Sequence, residues 1–407
     1  MEKVRDKIVK ILALGMAFLT LPSFGSCKKG AETELMPADY GTYGADFARE
    51  LAADYPFRAP YTAEETAAGE RIMEEFENLG YEVEQQSFTN SSGVPSANYI
   101  VRVEGDGFVA EQDDGSWAPV RRTVVIGAHY DSVFSRYNVP DDCEYDGISD
   151  NASGVGCLMT VAAHLREYEQ MGFDVILVAF GAGNDNYTGA RHFYNTLSQE
   201  EKDSIEVMYC IDSIYAGDKI YANAGYASLD YSQKYKMRRK LYQVYDVAYD
   251  FMLSSLYGYN LLYNESNIIA DLNGDGVNEV YREVSARKSD YLVFDEAGIP
   301  IVYFDSCDYF FDTMEEMKET KNLTLQEYGG AIRGTYLDAS SILDPILNTE
   351  EGDRLELRIN NTAFVILESM MKGSDYGLTS QQYEEEMRER ERAATAVTES
   401  TAPSSEG

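Results

Sequence analysis

Thr123-Val124-Val125-Ile126-Gly127-Ala128-His129-Tyr130-Asp131-Ser132-Val133 opens as an apolar, β-branched run and ends on an imidazole and a carboxylate. A polar loop follows, and then Ser149-Asp150-Asn151-Ala152-Ser153-Gly154 leads into an apolar segment. A run such as Val124 to Ala128 suits a strand buried on both faces. That places His129 and Asp131 at a strand end, where open α/β sheets carry their chemistry. Asp150 lands at a helix start. An imidazole, a carboxylate two residues on to orient it, and a second carboxylate from a nearby loop together make a metal-binding pattern.

Outward from this stretch, strand and helix patterns alternate. Val155 to Leu165 reads as a buried helix, and Val175 to Phe180 and Val207 to Ile211 as buried strands. The alternation predicts an α/β fold with a mostly parallel, mixed sheet covered by helices on both faces. Upstream, Thr62 and Glu65 form a capping box before a helix striped with Ile72, Phe76 and Leu79. Tyr81 to Phe88 and Asn98 to Val103 read as further strands. Residues 44–372 are expected to be one main domain, with a Tyr-rich helical insertion at about 228–288. Leu355 to Met371 reads as a final amphipathic helix.

The quoted residues resemble the core of the co-catalytic zinc exopeptidases (peptidase family M-28), of the secreted-aminopeptidase and glutamate-carboxypeptidase type. The resemblance implies that His129 is a zinc ligand, that Asp131 orients it, and that Asp150 bridges two zincs. It also implies Asp212, after the strand Val207 to Ile211, as the third ligand of the first zinc. Cys210 stands where the family usually has Asn. Ser289-Asp290-Tyr291 matches a family segment near the substrate pocket.

The second metal's private ligands do not match. The family carries a Glu pair after the strand that follows the Asp-Asn-Ala-Ser-Gly helix, one as general base and one as ligand. Here Gly183 falls at the base and Asn184 at the ligand, with Asp185 as the available, displaced base. The last family ligand is a His near the C-terminus. The chain has three His, and none follows His192, so Gly334 of Gly334-Thr335-Tyr336-Leu337-Asp338 takes that place. Losing the base and the second metal should remove most ordinary peptidase activity.

A separate motif, Asp271, Asn273, Asp275, Val277 and Glu279, spaces oxygen donors as calcium loops do, with Gly276 at the sixth position of 271–279. Arg282 stands where an EF-hand would have its bidentate Glu, which favours a shorter, non-EF loop. The net charge of −36 makes nucleic acid an unfavourable partner. Residues 1–27 read as an export signal: Lys3, Arg5, Lys7 and Lys10, then the apolar Ile11 to Leu21, then Cys27 as the lipidation site. Phe24 departs from the lipobox pattern and leaves plain secretion as the alternative. Residues 28–43 form a tether, and 373–407 a low-complexity tail.

Three functional expectations follow. The first is an exported, degenerate relative that binds peptide-like ligands at the cell envelope, with one zinc or other divalent ion and a calcium. The second is an active mononuclear metallo-aminopeptidase. The third is a structural protein-contact surface with a silent cleft.

Overall fold

A computed structural model describes residue 40 and residues 42–372, apart from 113–114, 135–142, 169–170, 268, 272–273, 275, 311–312, 314–315 and 350–351, with a few positions between 378 and 388. Cys27, the signal and most of the tether and tail lie outside the described residues, as do Asn273 and Asp275.

Eight strands form the central sheet: β1 (Val83–Thr89), β2 (Pro95–Val103), β3 (Thr123–His129), β4 (Asp174–Phe180), β5 (Ile205–Ile211), β6 (Lys219–Asn223), β7 (Leu261–Leu262) and β8 (Ile301–Cys307). Their spatial order is β1-β2-β4-β3-β5-β8-β6-β7. The central four, β4-β3-β5-β8, are parallel, while β2 joins β4 and β6 joins β8 antiparallel. The sheet is therefore mixed with a parallel centre, as the alternating pattern predicts. Every residue of β3, β5 and β8 is buried, because helices cover both faces.

The period of two sorts the strand side chains. Val125, Ile176, Val178, Phe180, Met208, Cys210, Ile301 and Tyr303 form one cluster with Phe193 of α4 (Thr188–Thr196) and Phe294 of α6 (Leu292–Glu296), numbering the principal helices in chain order. The residues between them face the other way. On that side α1 (Thr42–Asp54), α3 (Ser153–Leu165) and α7 (Arg354–Met371) pack together, and the Tyr209 hydroxyl meets Ser369 Oγ at 3.1 Å. A polar tip thus finds a partner although the ring is buried. The middle of α7 is buried all round rather than amphipathic, since it lies between α3 and α5 (Lys234–Asp250).

The insertion is less separate than its composition suggests. Its helix α5 covers β8, and its chain returns to supply the edge strand β7. A short helix, Leu253–Tyr257, precedes that strand, and beyond it the described residues include a small hairpin of Ile269–Ala270 and Glu279–Val280.

The capping box is only half formed. Thr62 Oγ1 accepts from the Glu65 N–H at 3.2 Å, but the Glu65 carboxylate turns inward instead of closing on Thr62. α2 (Ala63–Asn78) starts there all the same.

The order of the strands locates the crevice. From β3 the chain crosses through α3 to β4 on one side, and then returns past β3 to β5 on the other. The connections diverge above the carboxyl ends of β3 and β5, which is where such sheets hold ligands.

Candidate metal centre

His129 is the last residue of β3, and Asp212 follows the last residue of β5. The register that pairs Gly127 with Cys210 brings these two ends level. Asp150 comes from the irregular turn that starts α3, where the Asp150–Asn151 peptide is cis. The three are buried, and one ligand atom of each lies within 4.8 Å of the others. His129 Nε2 stands 3.4 Å from Asp150 Oδ1 and 3.5 Å from Asp212 Oδ1. Four ligands around a zinc-sized ion with bonds of about 2.0–2.1 Å are separated by about 3.4 Å, so these spacings fit one tetrahedral ion. Asp150 Oδ2 is buried with no hydrogen-bond partner among the described residues, which also suits a cation.

Asp131 stands beside the imidazole: His129 Nδ1 is 3.1 Å from its carbonyl and 3.4 Å from its Oδ1. Burial disfavours an imidazolium, but the charge of Asp131, with Asp290 and Asp150, outweighs it and pushes His129 up to about 9. Burial likewise opposes a charged Asp131, but His129 and the surrounding donors hold it below the usual carboxylate range.

Long-range polar bonds fix this half of the centre. Asn151 Nδ2 donates to the carbonyls of His129 (3.1 Å) and Ile211 (3.0 Å), tying the two strand ends together. Asp338 accepts from the Ser149 and Asp150 N–H groups at 2.8 and 3.0 Å, and burial beside Asp150 pushes its own pKa well up. Arg58, wholly buried, donates to the carbonyls of Tyr130 (2.8 Å), Asp146 (2.6 Å) and Gly147 (2.7 Å). Arg358 does the same for Tyr215 and Gly217, both at 2.8 Å, in the loop after Asp212. No sequence motif announced Arg58 or Arg358.

The other half has different contents. Gly183 packs directly on the imidazole: a Cβ there would sit 2.4 Å from His129 Cβ and 2.7 Å from its Cγ. A side chain at 183 would therefore overlap His129. The Gly183 and Asn184 N–H groups donate to the Asp131 carboxylate at 2.6 and 2.9 Å. Asp185, the displaced base of the sequence reading, is on the exposed turn, where its Oδ2 accepts from the Tyr61 hydroxyl at 2.7 Å. Gly334 has φ +71°, a conformation in which a side chain would be strained. Its neighbour Arg333, also unannounced, pairs with Asp150 and Asp212.

Two more buried carboxyls border the centre. Neither oxygen of Asp290 has a hydrogen-bond partner among the described residues, and burial, aided by Asp131 and Asp150 and opposed by His129, pushes it up to about 7. Glu65 accepts from Tyr61 N (2.5 Å), Ala182 N (2.7 Å) and Ser96 Oγ (2.9 Å), so it braces the turn that carries Gly183. In the 271–279 loop, Asp271 accepts from the N–H groups of Gly274 (2.7 Å) and Gly276 (2.9 Å). Val277 is exposed and Glu279 lies in the hairpin.

The chain matches Peptidase family M28 over residues 109–329. It is 22% identical over 374 residues to the alkaline phosphatase isozyme conversion protein of Escherichia coli strain K12, covering 88% of this chain and 94% of that protein. Among solved structures, an Acidobacteriales bacterium glutaminyl cyclase superposes with a TM-score of 0.56 at 16% identity, over 84% of this chain and 97% of the other. A Zn-dependent exopeptidase from Parabacteroides distasonis gives 0.53 at 18% identity, over 83% and 99%. With the matched segment spanning the strands, turns and acidic residues of the centre, this chain belongs to peptidase family M28.

Proposed function

We propose that this M28 chain is exported, anchored at the cell envelope through Cys27, and binds peptide-like ligands in its crevice with little or no hydrolysis. The observation that carries the reading is the packing of Gly183 on His129. Peptide hydrolysis needs a group that takes a proton from water, and positioned acid–base help is worth about 10²–10⁴ in rate. At this position there is neither a carboxylate nor room for one.

His129, Asp150 and Asp212 are the residues that would hold a single divalent ion, zinc by their donor chemistry, which when bound supplies charge to polarise a ligand carbonyl. Asp131 keeps the imidazole turned toward that position. Asn151 and Asp338 hold Asp150 against the strand ends. The chain's net charge of −36 suits a ligand that presents a cationic group, such as the ammonium of a peptide N-terminus. No described helix is long and apolar enough to cross a membrane; the anchor in this reading is a lipid on Cys27. The reading includes calcium in the 271–279 loop, checked by whether calcium raises the unfolding temperature of the chain and not of Asp271→Ala.

The test is turnover of aminoacyl p-nitroanilides and N-terminal glutamine peptides by the purified, zinc-supplemented chain, with peptide binding followed by fluorescence anisotropy. Saturable binding without turnover is expected. Zinc-dependent turnover with kcat/KM above about 10⁴ M⁻¹s⁻¹, abolished by Asp150→Ala, would sink the reading. It would establish the mononuclear aminopeptidase instead, which the tetrahedral spacing around His129 favours. Cys27→Ser should move the chain from the membrane fraction to the medium.

A further inference from the structure

Arg333 immediately precedes the glycine at the family's missing histidine position, and its side chain enters the centre. Nε lies 3.3 Å from Asp150 Oδ1, Nη2 pairs with Asp212 Oδ1, and both nitrogens reach Ser213 Oγ, at 3.1 and 2.5 Å. The backbone is anchored as well. The Ile332 and Arg333 N–H groups donate to Glu319 Oε2, each at 2.9 Å, while Glu319 Oε1 accepts from Arg287 at 2.9 Å. The Arg333 side chain is 21% exposed and its two carboxylate partners are essentially buried.

The oxygens that Arg333 takes are Asp150 Oδ1 and Asp212 Oδ1. These same two atoms stand at tetrahedral spacing from His129 Nε2. Buried carboxylates need a compensating charge, and a guanidinium with its planar fork of donors is well matched to them. A dication entering beside it would meet a like charge at short range and would share oxygens already drawn toward the guanidinium.

We propose that Arg333 is the resident cation of this centre, and that it competes with a divalent ion for Asp150 Oδ1 and Asp212 Oδ1. The inference rests on the candidate metal centre and deepens the binding-module reading, since the acidic crevice carries its own counter-charge. Arg333 lowers metal affinity, and its removal restores a tighter site to the three ligands that remain.

The test is zinc affinity of the full chain by chelator competition, together with thermal unfolding with and without a zinc-selective chelator, calcium being held constant throughout. Wild type should unfold at the same temperature in both conditions. Arg333→Gln should bind zinc roughly tenfold more tightly or better, and should unfold at higher temperature with zinc than without. Arg333→Lys keeps the charge but not the fork and should fall between the two. Wild type binding zinc as tightly as Arg333→Gln, or losing stability in the zinc chelator, overturns the proposal. If both variants fail to fold, the wild-type chelator comparison alone decides. Hydrolysis by zinc-loaded wild type would defeat the binding-module reading and leave this affinity comparison standing.

Discussion

The crevice has two halves that share one sheet but differ in what their loops contain. On the β3–β5 side, His129, Asp150 and Asp212 converge on a metal-sized space, and Asn151, Asp338, Arg58 and Arg358 hold the surrounding loops. On the other side, the turn after β4 and the segment around 334 follow their own well-bonded paths, with backbone N–H groups, two glycines and a guanidinium in place of ligands. The difference teaches that loop path and loop chemistry are separable. The turn after β4 is held by backbone N–H groups that donate to Asp131 and Glu65, bonds that do not depend on which side chains the turn carries.

The comparison breaks most sharply at Arg58. Its guanidinium serves three carbonyls flanking the His129 and Asp150 loops. Arg58→Met would leave those buried acceptors without donors, at about 1–3 kcal/mol each before relaxation. A loss of about 4 kcal/mol is expected in urea unfolding, with zinc binding weakened in the fraction that folds. A variant within 1 kcal/mol of wild type, by the same scale, would show that the β3–β5 half does not depend on this brace.

Glu65 links the two halves, since it holds the turn bearing Gly183 and feels the charge of Asp131. Burial, then Asp131, push it from 4.5 up to about 7, although three donors partly offset them. The folded chain therefore binds this proton more tightly than the unfolded chain. The group's contribution is most favourable below pH 4.5 and is lost as pH rises through 7. At 1.36 kcal/mol per pH unit the change is about 3 kcal/mol. Glu65→Gln cannot titrate, so its stability relative to wild type should improve by about that amount between pH 4.5 and pH 8. Parallel urea-derived stability curves across that range would contradict the assignment.

The sequence carried the β3–β5 half because its signal is local. A β-branched run ending in His129, a helix-start Asp150 and a strand-end Asp212 are each readable within a few residues, and the structure brings the three together. For the other half the reading was a count, since no His follows His192. What stayed hidden was non-local. Arg58 meets carbonyls 72 to 89 positions away, and Arg358 reaches back more than 140. Neither arginine sits in a pattern whose spacing hints at its partners. Glu65 read as a helix cap, because a capping box and an inward-turned carboxylate look alike until Ser96 and Ala182 are placed beside it. The Tyr-rich insertion misled in a related way: helical periodicity in α5 said nothing of the edge strand β7 that follows.

The smallest expected effect tests whether the turn after β4 can accept a carboxylate at Gly183. Gly183→Glu places a carboxylate where the sequence resemblance would set the base, but its Cβ must displace the first atoms of the His129 side chain, not a flexible tip. Overpacking of this kind typically costs about 1–3 kcal/mol. The displaced imidazole would also lose its spacing to Asp150 and Asp212. Gly183→Glu should therefore lower stability by about 2 kcal/mol and weaken zinc binding, with no gain in turnover of aminoacyl reporters. If the variant instead folded as well as wild type and hydrolysed them, the turn after β4 would be a site awaiting its base, and the two halves would differ by one residue rather than by packing.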